Sequence, residues 1–212
     1  MELRTDLALI SEWITEGSDV LDLGCGDGTL LAHLRDTHKV NGYGLEIDDE
    51  SIVLCIKAGI NVIQTDLDKG LSDFSDDSFD YVIMTQAIQT IRYPDKLLIE
   101  MLRVGRQGIV TFPNFGHWRA RGSLFFGGVM PTSHALLSQW YNTENIHLCT
   151  VRDFENLCDR LDIEILQLAV VDLEHHTRWP MHLMPNLFGE IALYRLRSKP
   201  VKRINLPKEN EK

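Results

Sequence analysis

The sequence lacks the features of a secreted, disulfide-bonded or membrane-spanning protein. Its four cysteines form no Cys-x-x-Cys pair, so we expect reduced and mostly buried thiols rather than disulfides or zinc ligands. No apolar run approaches the roughly 18 residues of a membrane-spanning helix. The first residues also lack a basic region followed by an apolar one, which a secretory leader requires. We therefore predict a cytoplasmic protein with no metal site and no membrane contact.

Positive charge is scarce as well, since 21 Lys and Arg residues stand against 31 Asp and Glu residues. The resulting net charge of −10 repels phosphate backbones, so nucleic acid is disfavoured as a partner. The length of 212 residues is enough to bury a core in one α/β domain and is short for two. We expect one domain.

The sequence does contain a glycine-rich turn between a strand pattern and a helix pattern. Gly24, Gly26 and Gly28 occupy every second position, where the lack of a Cβ permits positive φ and lets a ligand approach the backbone. The helix predicted at 29–36 presents its first N–H groups to an anionic ligand group. This arrangement is typical of a ligand-binding loop, and a glycine turn with no ligand is the alternative.

The spacing of these glycines separates classes of ligand. NAD and flavin sites use Gly-x-Gly-x-x-Gly around a pyrophosphate, whereas here the third glycine comes one residue earlier. Asp22 lies two residues before the first glycine, where its carboxylate either braces the loop or meets a ligand ammonium group. The pattern Asp-x-Gly-x-Gly-x-Gly resembles the first motif of class I methyltransferases, which bind S-adenosylmethionine (SAM). An NAD-dependent oxidoreductase is therefore disfavoured.

Strand patterns alternate with helix patterns along the chain. Strands are predicted at 19–23, 40–46, 61–67, 79–84, 108–113, 163–172 and 191–196, and helices at 3–15, 29–36, 48–58, 94–105 and 150–161. The alternation predicts an α/β fold with a Rossmann-like, doubly wound and mostly parallel seven-stranded sheet, whose last two strands form an antiparallel pair at one end. We expect a single domain over 1–198, an insertion at about 114–149, and a flexible polar tail at 199–212.

Polar residues end three of the predicted strands. Glu46 falls about 20 residues beyond the glycine loop, where a carboxylate accepts both hydroxyls of a ribose. Taken alone, Glu46 also fits a solvated strand-end acid. In similar methyltransferases, the carboxylate at the position of Asp66 binds the adenine amino group, and the backbone N–H at the position of Leu67 binds a ring nitrogen. Gln86 follows the fourth strand. Because the carboxyl ends of parallel strands share one edge of a sheet, we expect these residues to lie together.

The segment 114–149 interrupts the alternation of strands and helices. Long loops are usually functional or disordered, and aromatic side chains make disorder an unfavourable interpretation here. Aromatic residues next to arginines are typical of an interface or of a lid over a pocket, and a cover for the sheet edge is the alternative. The candidate interface residues are Phe115, His117, Trp118, Arg119 and Arg121.

Three histidines follow the sixth predicted strand. His175, His176 and His182 contain no His-x-x-x-His pair, which is the helical spacing of a common zinc site. We therefore interpret them as loop histidines rather than as metal ligands.

Later motifs narrow the resemblance to one family. The chain resembles the MetW family of methionine biosynthesis proteins, a bacterial branch of the class I methyltransferase fold, in the motifs GLEID at 44–48, QAIQ at 86–89, FPNFGHW at 112–118, WYNT at 140–143, NIHLC at 145–149 and NLFGE at 186–190. The resemblance implies a site for SAM or S-adenosylhomocysteine (SAH) formed by Asp22, Gly24, Cys25, Gly26, Gly28, Glu46, Ile47, Asp66, Leu67, Gln86 and Ala87.

The resemblance also implies a partner, because proteins of this family are associated with the homoserine O-acyltransferase MetX and are needed for its activity. In one hypothesis, the chain is a non-catalytic activator whose segment after the fifth strand docks on MetX. In the other, it is a methyltransferase whose same segment closes over a small acceptor. The segment 85–90 lacks the Asn-Pro-Pro-Tyr motif of enzymes that methylate exocyclic amines, and His117 and Tyr141 are the candidate bases. These observations favour the activator.

Overall fold

The computed structural model describes residues 5–131, 140–143, 145–172 and 179–199. The strands are β1 Asp19–Leu23, β2 Asn41–Glu46, β3 Asn61–Gln64, β4 Phe79–Thr85, β5 Gly105–Pro113, β6 Ile163–Val171 and β7 Ile191–Ser198. The helices are α1 Thr5–Trp13, α2 Thr29–His38, α3 Asp49–Lys57, α4 Pro94–Val104, α5 Trp118–Gly122, α6 Val151–Arg160, α7 Trp179–Leu183 and α8 Pro185–Phe188. No helix in these ranges is long and apolar enough to cross a membrane.

The strands form one seven-stranded sheet in the order β3-β2-β1-β4-β5-β7-β6. Strands β1 to β5 pair in parallel, and β7 lies antiparallel between β5 and β6. The predicted fold class and the antiparallel pair at one end of the sheet are therefore confirmed. After β3 the chain crosses to the other side of β1, so the strand order reverses between β1 and β4. In open α/β sheets, ligands bind at the carboxyl ends of the strands at this switch point.

Two predicted strand boundaries are wrong. The third strand ends at Gln64 instead of residue 67, because Asp66 caps a short 3₁₀ turn at Leu67–Lys69 by accepting the Asp68 N–H at 3.0 Å. The fifth strand begins at Gly105 instead of residue 108, since α4 runs into it without a loop. Hydrophobic periodicity does not predict either boundary, because the end of the third strand depends on a side-chain cap and the start of the fifth on strand pairing.

Helices cover both faces of the sheet and divide the core into two layers. On one face, α4 and α6 pack over β4, β5 and β7. On the other face, α1 and α2 pack over β1 and the far side of β4. Thr150 caps the N-terminus of α6, because its Oγ1 accepts the Asp153 N–H at 3.1 Å.

Three aromatic rings form the centre of the first core layer. The ring centroid of Phe154, on α6, lies 5.0 Å from that of Phe112 on β5 and 4.6 Å from that of Tyr194 on β7. All three side chains are fully buried. The ring of Phe154 therefore fixes the last large helix to the antiparallel end of the sheet.

Truncation of this ring measures how much α6 depends on the contact. We expect Phe154→Ala to lower the free energy of unfolding by about 3–5 kcal/mol, because the vacated volume has no side chain to fill it. The matched control is Phe125→Ala, since Phe125 is 82% exposed and its truncation changes stability by about 0.5 kcal/mol or less. Urea unfolding monitored by circular dichroism measures both. Equal losses for the two variants would contradict the packing described.

Candidate functional site

The crevice at the switch point is bounded by the glycine loop between β1 and α2. Gly24, Gly26 and Gly28 have φ values of 73°, 55° and 77°, which L-residues with a side chain rarely adopt. A Cβ on Gly28 would lie 3.0 Å from Cys55 Sγ, whereas a Cβ on Gly26 would have no neighbour within 4 Å. Gly28 is therefore required for close packing inside the protein. The open side of Gly26 leaves its backbone accessible to a ligand.

Two neighbouring segments hold the glycine loop in place. The N–H groups of Gly24 and Cys25 donate to Leu45 O at 2.8 and 3.1 Å. The N–H of Gly26 donates to Glu46 Oε2 at 2.8 Å. The other oxygen, Glu46 Oε1, accepts the N–H groups of Ile47 and Asp48 at 2.7 and 3.0 Å. Glu46 therefore connects the loop to the start of α3, and its carboxylate keeps lone pairs for a further donor.

A buried acid lies on β1 directly before the loop. Asp22 is 1% exposed, and its Oδ1 has no hydrogen-bond partner among the described residues. Burial, and secondly the nearby charge of Glu46, raise the pKa of Asp22 to about 7. A buried carboxyl without a compensating donor is costly. The group is therefore suited to a cationic ligand atom.

The polar residue after β4 is held in an unusual backbone conformation. Gln86 has φ 55° although it is not glycine, and its N–H donates to both the carbonyl and the hydroxyl of Thr111, at 2.9 and 3.1 Å. Its side-chain Nε2 donates to Asp6 Oδ2 at 3.4 Å. Strained residues of this kind cluster at ligand sites. No local pattern indicates the supporting residues Thr111 and Asp6, since they contact Gln86 only in the folded chain.

The remaining cofactor-site candidates follow β2, β3 and β4 at the same edge of the sheet. Ile47 is 61% exposed directly after β2. Asp66 and Leu67 are half-buried after β3, and Ala87 lies against the loop, since a Cβ on Gly24 would be 3.4 Å from its Cβ. The structure therefore brings all of the predicted cofactor-site residues to the carboxyl ends of four adjacent strands.

Two buried cysteines pack against the glycine loop. Cys25 Sγ and Cys55 Sγ are 3.7 Å apart, and the Cys55 thiol donates to Gly26 O at 3.1 Å. Both thiols are free and buried, and burial raises the pKa of each. They therefore act as small packing groups under the loop.

The candidate interface begins on a buried asparagine after β5. Asn114 Nδ2 donates to Gly189 O at 2.8 Å and to Asn186 O at 3.1 Å, and its Oδ1 accepts the Gly116 and Val151 N–H groups at 2.9 and 3.1 Å. Three of these bonds attach the start of the segment to α6 and to the end of α8, and the bond from Gly116 closes a turn within the segment. The motif FPNFGHW is thus held against α6 and α8.

The predicted interface residues divide into buried and exposed groups. His117 is 8% exposed, with Nε2 3.7 Å from Glu190 Oε1, and burial followed by the Arg119 charge lowers the pKa of His117 to about 4. Phe115 is half-buried. Trp118, Arg119 and Arg121 are exposed, and the Arg119 guanidinium lies 5.4 Å from the Trp118 ring. His117 therefore supports the segment, and the other side of the turn faces solvent.

The segment exposes more apolar area than these candidates alone. Phe125 is 82% and Phe126 87% exposed, and Trp140 and Tyr141 are 72% and 70% exposed. We call the exposed side chains of Trp118, Leu124, Phe125, Phe126, Val129, Met130, Trp140, Tyr141, Ile146 and Leu148 the aromatic surface. Exposed patches of this kind usually mark interaction sites. The sequence showed the aromatic composition but not which rings would remain uncovered.

No group of three metal-ligating side chains occurs within the described ranges. His175 and His176 lie outside those ranges. His182 is exposed on α7, so its predicted place in a loop is wrong.

Comparisons with known proteins agree with this geometry. The family model described as "Methionine biosynthesis protein MetW" matches residues 4–196. The bifunctional methionine biosynthesis protein MetXA/MetW of Rhodopirellula baltica is 37% identical over 200 residues, which cover 90% of this chain. The chain spans about a third of that relative, 32% of its length.

Solved structures show the same fold at low identity. A SAM-dependent methyltransferase from Mesorhizobium loti matches with a TM-score of 0.67 and 18% identity, over 91% of this chain and 97% of that one. A complex of the Haloferax volcanii Trm112 methyltransferase activator with a putative methyltransferase matches with a TM-score of 0.62 and 16% identity, over 92% and 90%. With a family model that covers nearly its whole length, the chain belongs to the MetW family of methionine biosynthesis proteins.

Proposed function

We propose that the protein is a partner subunit that activates the homoserine O-acyltransferase MetX, and that SAM or SAH bound at the glycine loop regulates the pair. The aromatic surface carries the proposal, because exposed aromatic side chains in such number are typical of a surface that binds another protein. The relative from Rhodopirellula baltica, named as MetXA/MetW, supports the choice of partner. In this proposal, the protein acts in the cytoplasm together with its partner.

The residues of the crevice fit the cofactor chemically. Asp22 supplies a buried carboxylate whose Oδ1 has no partner among the described residues, which suits the ammonium group of the methionine part. Glu46 is placed for the ribose hydroxyls, and the exposed side chain of Ile47 offers an apolar contact for a flat base. Asp66 and Leu67 would bind the adenine edge. SAM supplies a sulfonium and a transferable methyl group, and in this proposal it acts as a signal.

One loop connects the crevice to the aromatic surface. Gln86, at the start of the β4–α4 loop, borders the crevice. Three residues later, Gln89 O accepts the N–H groups of Ile146 and His147 at 2.9 and 3.0 Å. A ligand shifts its partner only through a difference in affinity between two states of the complex. In the proposal, the ligand contacts one end of this loop, and the partner contacts the stretch that the other end holds.

The first prediction concerns the glycine loop. We expect Gly26→Val to weaken SAM binding at least about tenfold, because valine at a φ of 55° distorts the loop and fills its open side. Glu46→Ala should weaken binding similarly, since it removes the carboxylate that holds Gly26. Isothermal titration calorimetry measures both.

The matched control is Gly17→Val, because Gly17 has a φ of 74° and no neighbour within 4 Å of an added Cβ, and it lies before β1, at the opposite edge of the sheet. It should bind SAM as the wild type does. Unchanged SAM affinity in Gly26→Val and Glu46→Ala would exclude the glycine loop as the cofactor site.

The second prediction concerns the pH dependence of SAM binding. With the pKa of Asp22 at about 7, the carboxyl is ionised at pH 8 but must lose its proton to bind an ammonium group at pH 6. Each pH unit below the pKa costs about 1.4 kcal/mol, a factor of ten in Kd. We therefore expect SAM to bind about tenfold more weakly at pH 6 than at pH 8.

The variant Asp22→Asn separates this effect from other titrating groups. It should bind SAM weakly, with a Kd that changes less than about twofold over the same pH range. A wild-type Kd that does not depend on pH would contradict the contact between Asp22 and the ammonium group.

The third prediction concerns the partner. Homoserine O-acyltransferase activity of purified MetX should rise when this protein is added, and SAM or SAH should change that rate. The double variant Trp118→Ala, Phe126→Ala should bind MetX about 30-fold more weakly, since central aromatic residues of an interface contribute about 2 kcal/mol or more. The control is Ile56→Ala, which is 63% exposed on α3 and outside the aromatic surface.

The outcomes distinguish the proposal from catalysis of methyl transfer. A change in MetX rate that the double variant abolishes and Ile56→Ala retains supports the activator. No effect on MetX, together with transfer of a labelled methyl group from SAM to a small acceptor, would replace the proposal with a methyltransferase.

A further inference from the structure

A second cavity lies next to the cofactor crevice, on the other side of the 3₁₀ turn at Leu67–Lys69. It has a volume of about 340 Å³ and lies between the segment 67–72 and the segment that begins at Ile91 and enters α4. This volume is within the range of sites for small molecules. The cavity and the crevice share one residue, because Leu67 lines the cavity and directly follows Asp66.

The floor of the cavity is apolar. Leu71, Ile91 and Leu97 line it and are all less than 8% exposed. These side chains belong to the core layer under α4, so the floor cannot move without disturbing that layer. An apolar floor of this kind favours a ligand with a compact apolar body.

The rim of the cavity carries two lysines. Lys69 and Lys96 line it, and neither has an ion-pair partner among the residues that the structure describes. Lys96 Nζ lies 4.5 Å from the centroid of the Tyr93 ring, which also lines the cavity. In a chain of net charge −10, two lysines without acidic partners beside one cavity are a local excess of positive charge.

The two acids at the rim do not cancel this charge equally. Glu100 is already bound to Arg103, with Oε1 2.9 Å from Nε and Oε2 2.8 Å from Nη2, so its charge is compensated. Asp68 uses Oδ1 to accept the Arg92 N–H at 2.8 Å. That bond also ties the two walls of the cavity together. The balance at the rim is therefore one uncompensated acid against two uncompensated lysines.

We propose that this cavity is a binding site for a small organic monoanion, a carboxylate that carries an aryl or branched alkyl group. The apolar group rests on Leu71, Ile91 and Leu97, and the carboxylate lies between Lys69 and Lys96. The site is formed in advance, because the Asp68–Arg92 bond closes its walls. Its ligand contacts the turn that carries Leu67, which directly follows Asp66 in the chain.

The probe for this site is 4-(trifluoromethyl)benzoate, observed by ¹⁹F NMR on the full-length protein. For a ligand of this size, we expect a Kd of about 1 mM or lower. The neutral 4-(trifluoromethyl)benzamide, which has nearly the same shape, should bind at least about fivefold more weakly. The cationic 4-(trifluoromethyl)benzylamine should bind more weakly still.

Two variants locate the binding. Lys69→Gln with Lys96→Gln should weaken benzoate binding about tenfold and remove the preference over the amide. Ser72→Trp places an indole at the rim from an exposed position and should also block the probe. The matched control is Lys39→Gln with Lys57→Gln, which removes the same charge elsewhere and should leave binding unchanged.

The proposal fails under either of two results. Equal affinity for benzoate and amide would show that the lysines do not select an anion. Equal binding of benzoate to the wild type and to both cavity variants would place the probe elsewhere, for example on the aromatic surface. Neither result bears on SAM binding or on MetX, which the experiments above measure separately.

Discussion

The carboxylate of Glu46 is the interaction on which the crevice depends. It accepts three backbone N–H groups, from Gly26, Ile47 and Asp48, and hydrogen bonds to an ionised acceptor are stronger than those between neutral groups. Through these bonds, one side chain sets both the shape of the glycine loop and the start of α3. The same charge contributes to the high pKa of Asp22, so the acid that shapes the loop also makes its neighbour difficult to ionise.

The loop between β4 and α4 connects features that would otherwise be separate. Gln86 borders the crevice, Gln89 holds the stretch that carries Ile146, and Tyr93 lines the second cavity. Tyr93 lies only seven positions after Gln86 in the chain. One short loop therefore contacts all three features.

Much of the fold and of the glycine loop could be predicted from the sequence, because both depend on residues that are close together in the chain. Alternating patterns gave the strands, and the glycine spacing placed the loop at a strand end. Other features depend on residues far apart in the chain. The contact between Gln86 and Asp6 spans 80 positions, and the cavity beside Leu67 arises from the packing of two loops. No local pattern encodes either one, nor the approach of His117 Nε2 to Glu190 Oε1 at 3.7 Å.

The exposed aromatic surface has a consequence for the amount of protein that a cell can hold. Phe125 and Phe126 lie in water whenever no partner covers them, and the net charge of −10 slows self-association without removing the apolar attraction. Under the proposed function, copies made in excess of the partner would leave this surface uncovered and would self-associate. Balanced synthesis of the two proteins then becomes a condition of solubility.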